Sequence, residues 1–218
     1  MYICFFFTEA YRNQTAKLIS AINYLSDYCS GSKLFIRLDD DVMLYPNQTL
    51  RHLIRYILPG VTLSNNTGSF IDYKALLSRL PPKTIVCRLL RNRLIFRCPE
   101  SGEINGKSCK KYSVSSDTLP GRSKYPDFCA GFFIAITADL MPRFQAMLAK
   151  EKPFWIDDSY LGVLQELVGT KNINSKRLVF VERGDIREKL RTGSVLAVHL
   201  GTKYSESMRT LFPIDTYS

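Results

Sequence analysis

Histidine is scarce in this sequence, with only His52 and His199 among 218 residues. The six cysteines, Cys4, Cys29, Cys87, Cys98, Cys109 and Cys129, include no close CxxC pair. That excludes the usual zinc spacing and leaves disulfides or buried thiols. Long apolar runs are missing too. The N-terminal run Met1–Phe7 stops at Thr8-Glu9, far short of the ~20 residues a membrane span needs. It has neither the basic start nor the small-residue cleavage site of a signal peptide, and reads as a buried strand or the remnant of one. Repeats, low-complexity tracts and shifts of composition are absent, so nothing marks a linker and a single domain over 1–218 is expected.

What is present is ordinary globular material. Hydrophobic residues at 45% and charged residues at 23% exclude a disordered or fibrous class and suffice for a real core. The charge is unbalanced, since 30 Lys and Arg against 20 Asp and Glu give +10. Such an excess can serve nucleic acid, an anionic membrane or a phosphate-bearing ligand. The basic residues, from Arg51 and Arg55 through Arg88, Arg91 and Arg93 to Lys111 and Lys124, form no helical stripe and are not interleaved with stacking aromatics. A solvated basic surface is therefore expected, and nucleic acid is not. Acceptor sequons at Asn13, Asn47 and Asn65 point toward the secretory pathway.

The most informative stretch is Lys33–Leu44, where an apolar run, read as a buried strand, drives into Asp39-Asp40-Asp41. Adjacent carboxylates repel one another and resist burial, so they require a cation, a basic partner or open water. Beyond the strand ends of an open α/β sheet lies the crevice where such sheets bind ligands. If the extended backbone continues, Asp39 and Asp41 point the same way and can clamp a divalent ion that also holds phosphate oxygens. That reading is favoured over a solvated cluster capping the next helix. An EF-hand is excluded, because Leu44 and Leu50 stand where its Gly and Glu are required.

Around that stretch the pattern is mixed α/β. A helix is expected over Ala10–Cys29, from Leu18, Ile22 and Leu25, and a second after Pro46-Asn47 through Leu50, Leu53, Ile54 and Ile57. Residues 61–82 read as loop, Thr84–Leu90 as a strand, Leu94–Arg97 as its hairpin partner, and 99–126 as a long surface connection. Phe128–Thr137 reads as a buried strand, Ala138–Lys150 as a helix, and the stretch after Trp155-Ile156-Asp157-Asp158 as another helix ending at Gly169. Late strands are expected at Arg177–Val181 and Ser194–Leu200. Asp157 and Asp158 suit a helix cap as well as a general base partly desolvated by Phe154 and Trp155. His199, in an apolar run, fits a core histidine or a ligand, and His52 a surface or structural role.

Taken in order, Tyr11-Arg12-Asn13-Gln14-Thr15, the helix to Cys29, Lys33 to Asp39-Asp40-Asp41-Val42, Tyr125-Pro126-Asp127-Phe128-Cys129-Ala130-Gly131, Trp155 to Gly162 and the late His199 resemble glycosyltransferase family 31. This family holds the β-1,3-galactosyl- and β-1,3-N-acetylglucosaminyltransferases and their Fringe-like relatives. The resemblance covers nearly the whole chain and implies a GT-A-like mixed sheet flanked by helices. It further implies a lumenal Golgi location and manganese-dependent inverting transfer from a UDP-sugar to a glycan or glycoprotein acceptor.

By motif, Asp41, Asp39 and His199 would be metal ligands, and Asp39, Asp40, Gly131 and Asp157 would line the nucleotide-sugar. Asp158 would deprotonate the acceptor. Arg183 and Lys203 are candidates for phosphate contacts. Asp157 stands where the family usually has Glu, Ser159 where it has Val, and Phe132-Phe133 follow Gly131 where more glycine is usual. Only 38 residues precede Asp39, so an N-terminally truncated domain is expected, with any membrane anchor outside this chain. The alternative from a different class is an inactive GT-A-derived binding module.

Overall fold

Two apolar segments, Thr84–Leu90 and Phe128–Thr137, bury nearly every residue they contain and form the centre of the main sheet. The structure, a computed structural model, describes residues 10–58, 73–99, 103–104, 107–108, 113–180 and 186–200. A 3-10 turn at Tyr11–Asn13 leads into α1 (Gln14–Tyr28), β1 (Leu34–Leu38), β2 (Val42–Met43), α2 (Pro46–Ile57), α3 (Tyr73–Leu77) and β3 (Thr84–Leu90). Next come β4 (Glu103–Ile104), β5 (Lys107–Ser108), β6 (Phe128–Thr137), α4 (Leu140–Leu148) and α5 (Asp157–Val168). The last are β7 (Lys171–Asn174), β8 (Leu178–Phe180), α6 (Ile186–Thr192) and β9 (Ala197–His199). These elements form two interleaved units, one of Lys33–Arg88, Ala130–Thr137 and Lys171–Ser218, the other of Met1–Ser32, Leu89–Cys129 and Ala138–Thr170.

The first unit carries the larger sheets. One has the order β1-β6-β3-β7 and is mixed, with β1 antiparallel to β6 and β3 parallel to β7. Thr84 and Thr137 tie its centre, the Thr84 N–H donating to Thr137 Oγ1 at 3.0 Å and that hydroxyl donating to the Thr84 carbonyl at 3.2 Å. The second sheet, β2-β9-β8, pairs Val42 with His199 and Val198 with both Met43 and Val179. Met43, Leu190, Val195, Val198 and Leu200 close a core beneath it. Helix α2 starts at Pro46, whose missing N–H is harmless in a first turn, and buries Leu53, Ile54 and Ile57. Each such side chain contributes about 1.5–3 kcal/mol.

Two sequence expectations change in this unit. The strand before the aspartates is not buried: β1 pairs only with β6 among the described residues, and Ile36 and Leu38 are 41% and 44% exposed. An apolar run reports hydrophobicity, whereas burial of both faces depends on neighbours that an edge strand lacks. Residues 73–77, read as loop, form the short helix α3. Strands β2 and β7 and helix α6 lay below the length at which periodicity speaks. Met1–Phe7, Arg183 and Lys203 lie outside the described residues.

In the second unit α1 packs on α4 and α5, with Thr15, Leu18 and Ile22 facing inward. Gln145 links the helix ends, accepting from Ser26 Oγ at 2.7 Å and donating to Asp27 at 2.9 Å. Gly169 closes α5 at φ 68°, in the left-handed region that favours glycine. Leu94–Arg97 is not a hairpin strand. It makes one isolated antiparallel bridge, Leu94 to Lys124, and its backbone is tied to the following connection, the Ile95 N–H donating to the Ser123 carbonyl and the Phe96 carbonyl accepting from Val114. The expected long surface connection is partly built in: Val114 and Leu119 are buried, and β4 pairs antiparallel with β5.

Candidate functional site

Strand β1 ends at Leu38, and the chain then turns instead of staying extended, with Asp40 and Asp41 in the turn and β2 beginning at Val42. Backbone bonds fix both sides of the turn. The Asp39 N–H donates to the Phe132 carbonyl at 3.2 Å, and the Asp41 carbonyl accepts from the Leu200 N–H at 2.9 Å. The second bond follows from the β2–β9 pairing that sets Val42 opposite His199. Strand β9 thereby carries the late histidine to the aspartates.

The result is a three-residue cluster within one unit. One ligand atom each from Asp39, Asp41 and His199 lies within 4.8 Å of the other two. His199 Nε2 is 3.2 Å from Asp41 Oδ1, and both side chains are about one quarter exposed, at 26% and 25%. An ion held ~2.0–2.6 Å from each donor requires donors no more than ~5 Å apart, which this group satisfies. Two hard carboxylates and one imidazole, open to solvent on one side, suit a divalent cation of the manganese type. Asp40 is exposed in the same turn.

The floor under the histidine is aromatic. Phe132 lies with its ring centroid 5.5 Å from that of His199, and it and Phe133 are buried. Phe132 therefore belongs to the packing that supports the site. Gly131, directly before Phe132, is buried in β6. The support role of Phe132 was not legible in advance, because it depends on which strand carries His199.

Asp157 and Asp158 occupy the first turn of α5, both half-buried. The residue at the cap position itself is Ile156, which makes no side-chain cap bond. Carboxylates in the first turn interact favourably with the helix dipole. Gly162, one face along, lets α5 lie directly on the start of β6: a Cβ at 162 would stand 2.5 Å from the Phe128 Cβ and 3.3 Å from the Asp127 carbonyl oxygen. Glycine is required there by close approach, and its place in the motif gains a physical reason.

Among the cysteines, Cys87, Cys98 and Cys129 are each in a disulfide, and Cys29 is a free, half-buried thiol. His52 is half-buried against Gly193 of the α6–β9 connection, where a Cβ would stand 1.7 Å from its Nε2. Burial first, then the charges of Arg177, Arg55 and Arg51, push its pKa below the usual histidine value. That fits the structural role expected of it.

Comparison with known proteins adds an independent line. A family model described as Galactosyltransferase matches residues 3–74 and 67–176. UDP-GalNAc:beta-1,3-N-acetylgalactosaminyltransferase 1 of Mus musculus is 24% identical over 162 residues, covering 74% of this chain and 39% of that protein. Lactosylceramide 1,3-N-acetyl-beta-D-glucosaminyltransferase B of Danio rerio is 29% identical over 164 residues, 74% of this chain and 35% of that one. Beta-1,3-galactosyltransferase bre-5 of Caenorhabditis elegans is 23% identical over 193 residues, 88% of this chain and 49% of its own length. The chain thus matches half or less of each of these relatives.

Proposed function

The chain belongs to the galactosyltransferase family, glycosyltransferase family 31, and from that footing we propose metal-dependent inverting transfer of a hexosyl residue, galactose or N-acetylglucosamine, from a UDP-sugar to the 3-hydroxyl of a glycan acceptor. The scaffold in this reading is GT-A-like. The observation that carries the proposal is the meeting of Asp39, Asp41 and His199 at the end of β1. The names of the relatives, which specify β-1,3 or 1,3 transfer and in one case a UDP-sugar, support the reaction class.

When bound, a divalent ion such as Mn2+ would supply positive charge against the diphosphate of the departing UDP. Asp39, Asp41 and His199 would hold it. Asp40, Gly131 and Asp157 are assigned to the nucleotide-sugar by motif. Asp158 is assigned the proton of the acceptor hydroxyl as that oxygen attacks the anomeric carbon. The bond from that carbon to the diphosphate oxygen breaks, its electron pair leaving with UDP, and a single displacement inverts the centre. Only one side-chain base is needed for such a step.

A lumenal Golgi setting belongs to the same reading. The disulfide-bonded state of Cys87, Cys98 and Cys129 suits an oxidising compartment. No helix among the described residues is long and apolar enough to cross a membrane. Asp158→Asn tests the assignment of the base: transfer should fall by about 10²- to 10⁴-fold with UDP binding retained. Loss of UDP binding in that variant would make Asp158 structural and refute the assignment.

A further inference from the structure

The second unit holds a cleft of about 260 Å³ between the loop Ser115–Pro120 and the segment Glu151–Trp155. Both walls are fixed before any ligand arrives. On the loop side the Arg97 guanidinium donates to the Ser115 carbonyl, to that of Thr118 at 2.8 Å and to that of Leu119 at 3.4 Å. Opposite, the Trp155 indole N–H donates to the Ser113 carbonyl at 2.8 Å, and the Arg12 guanidinium carbon lies 5.4 Å from the ring centroid. Phe154 stacks on Tyr125 at 6.1 Å between centroids and 21° between planes, and its carbonyl accepts from Thr15 Oγ1 at 2.6 Å. Tyr160 donates to the Glu151 carbonyl at 3.2 Å.

The lining combines two aromatic rings with carboxylates and hydroxyls. Asp117 pairs with Lys152 at 2.7 Å and accepts from Ser115 Oγ. Bonding to Lys152, then to Ser115, holds its pKa down at about 2, so it is an anion at every working pH. Asp117 and Glu151 stand against Lys152 in the lining, with the Arg97 and Arg12 guanidiniums on the walls, so the charges nearly balance and no strong field of either sign selects a charged ligand. The C–H-rich face of a pyranose packs on an aromatic ring, and its hydroxyls donate to carboxylates and exchange hydrogen bonds with Ser and Thr. The size lies just under the ~300–1,000 Å³ of typical ligand pockets, suiting one or two sugar rings.

We infer that this cleft binds a neutral saccharide, with Trp155 as the stacking ring and Asp117 and Thr118 as hydroxyl partners. Resting on the transfer reading above, the occupant is the acceptor glycan, since Trp155 leads directly into Asp157 and Asp158. Trp155 is the only tryptophan of the chain, so its emission reports on this place alone. Titration with lactose and with N-acetyllactosamine should change that emission saturably. Asp117→Asn should weaken the response about tenfold or more, as expected for loss of a hydrogen bond to a charged group. Thr118→Val, with near-ultraviolet circular dichroism to verify the fold, provides a second variant should the first unfold.

No emission change with either sugar, or an undiminished change in both folded variants, would overturn the inference. Calorimetry of the unaltered chain with UDP and Mn2+ separates the two proposals. Saccharide binding without UDP binding keeps the cleft and removes the transfer reading, while UDP binding without saccharide binding does the reverse.

Discussion

His199 illustrates how one residue changes meaning with its partners. An imidazole in an apolar strand is ordinarily a core residue, yet pairing Val42 with His199 brings it 3.2 Å from Asp41. His199→Ala should therefore weaken Mn2+-dependent UDP binding by at least the ~10–100-fold typical of lost outer-sphere support to a metal, with little change in thermal stability. An unchanged affinity would remove His199 from the ligand set. His52 gives the opposite case. Its folded pKa is lowered, so between that value and the unfolded 6.5 the unfolded chain binds more protons and stability rises with pH. Acidification below about 6.5 should lower the unfolding temperature, and His52→Gln should flatten that dependence; parallel profiles for the two proteins would show that His52 carries none of it. At this scale the sequence was legible where chemistry is local, as in three adjacent carboxylates. It was silent where a residue acts through a distant neighbour, as Phe132 does beneath His199.

Among the elements, the two glycine contacts give the sharpest tests. Gly162→Ala would set a methyl 2.5 Å from the Phe128 Cβ, so α5 must shift away from β6. Overpacking of this kind costs about 1–3 kcal/mol, readable as a fall in the denaturant midpoint, and transfer should fall as the α5 first turn moves. Gly193→Ala combines a φ of +72° with collision against His52. The left-handed backbone costs a substituted residue about 1–2 kcal/mol. Adding His52→Ala should restore only the steric part; full restoration would mean that the backbone is unstrained. Long elements were readable because their own residues decide them: all ten residues of Phe128–Thr137 are buried, and α5 stops at Gly169 as expected. Val42–Met43 and Lys171–Asn174 become strands only through pairing with β9 and β3, which no local pattern encodes. The edge position of β1 was hidden for the same reason.

On the scale of the whole molecule, a +10 chain with disulfides, a family match over most of its length and an Asp–Asp–His cluster describes a glycosyltransferase-family protein with a candidate metal site. Its excess positive charge suits the anionic donor of the proposed reaction, and an affinity for UDP that falls with added salt would express it. The most direct measurement is isothermal calorimetry of UDP into the unaltered chain and into Asp41→Asn, each with Mn2+ and with a chelator. Saturable UDP binding that requires Mn2+ and disappears in Asp41→Asn is the expected result. UDP binding that is indifferent to the metal, or unchanged in Asp41→Asn, would contradict the assignment of Asp39, Asp41 and His199 to a metal that holds the nucleotide.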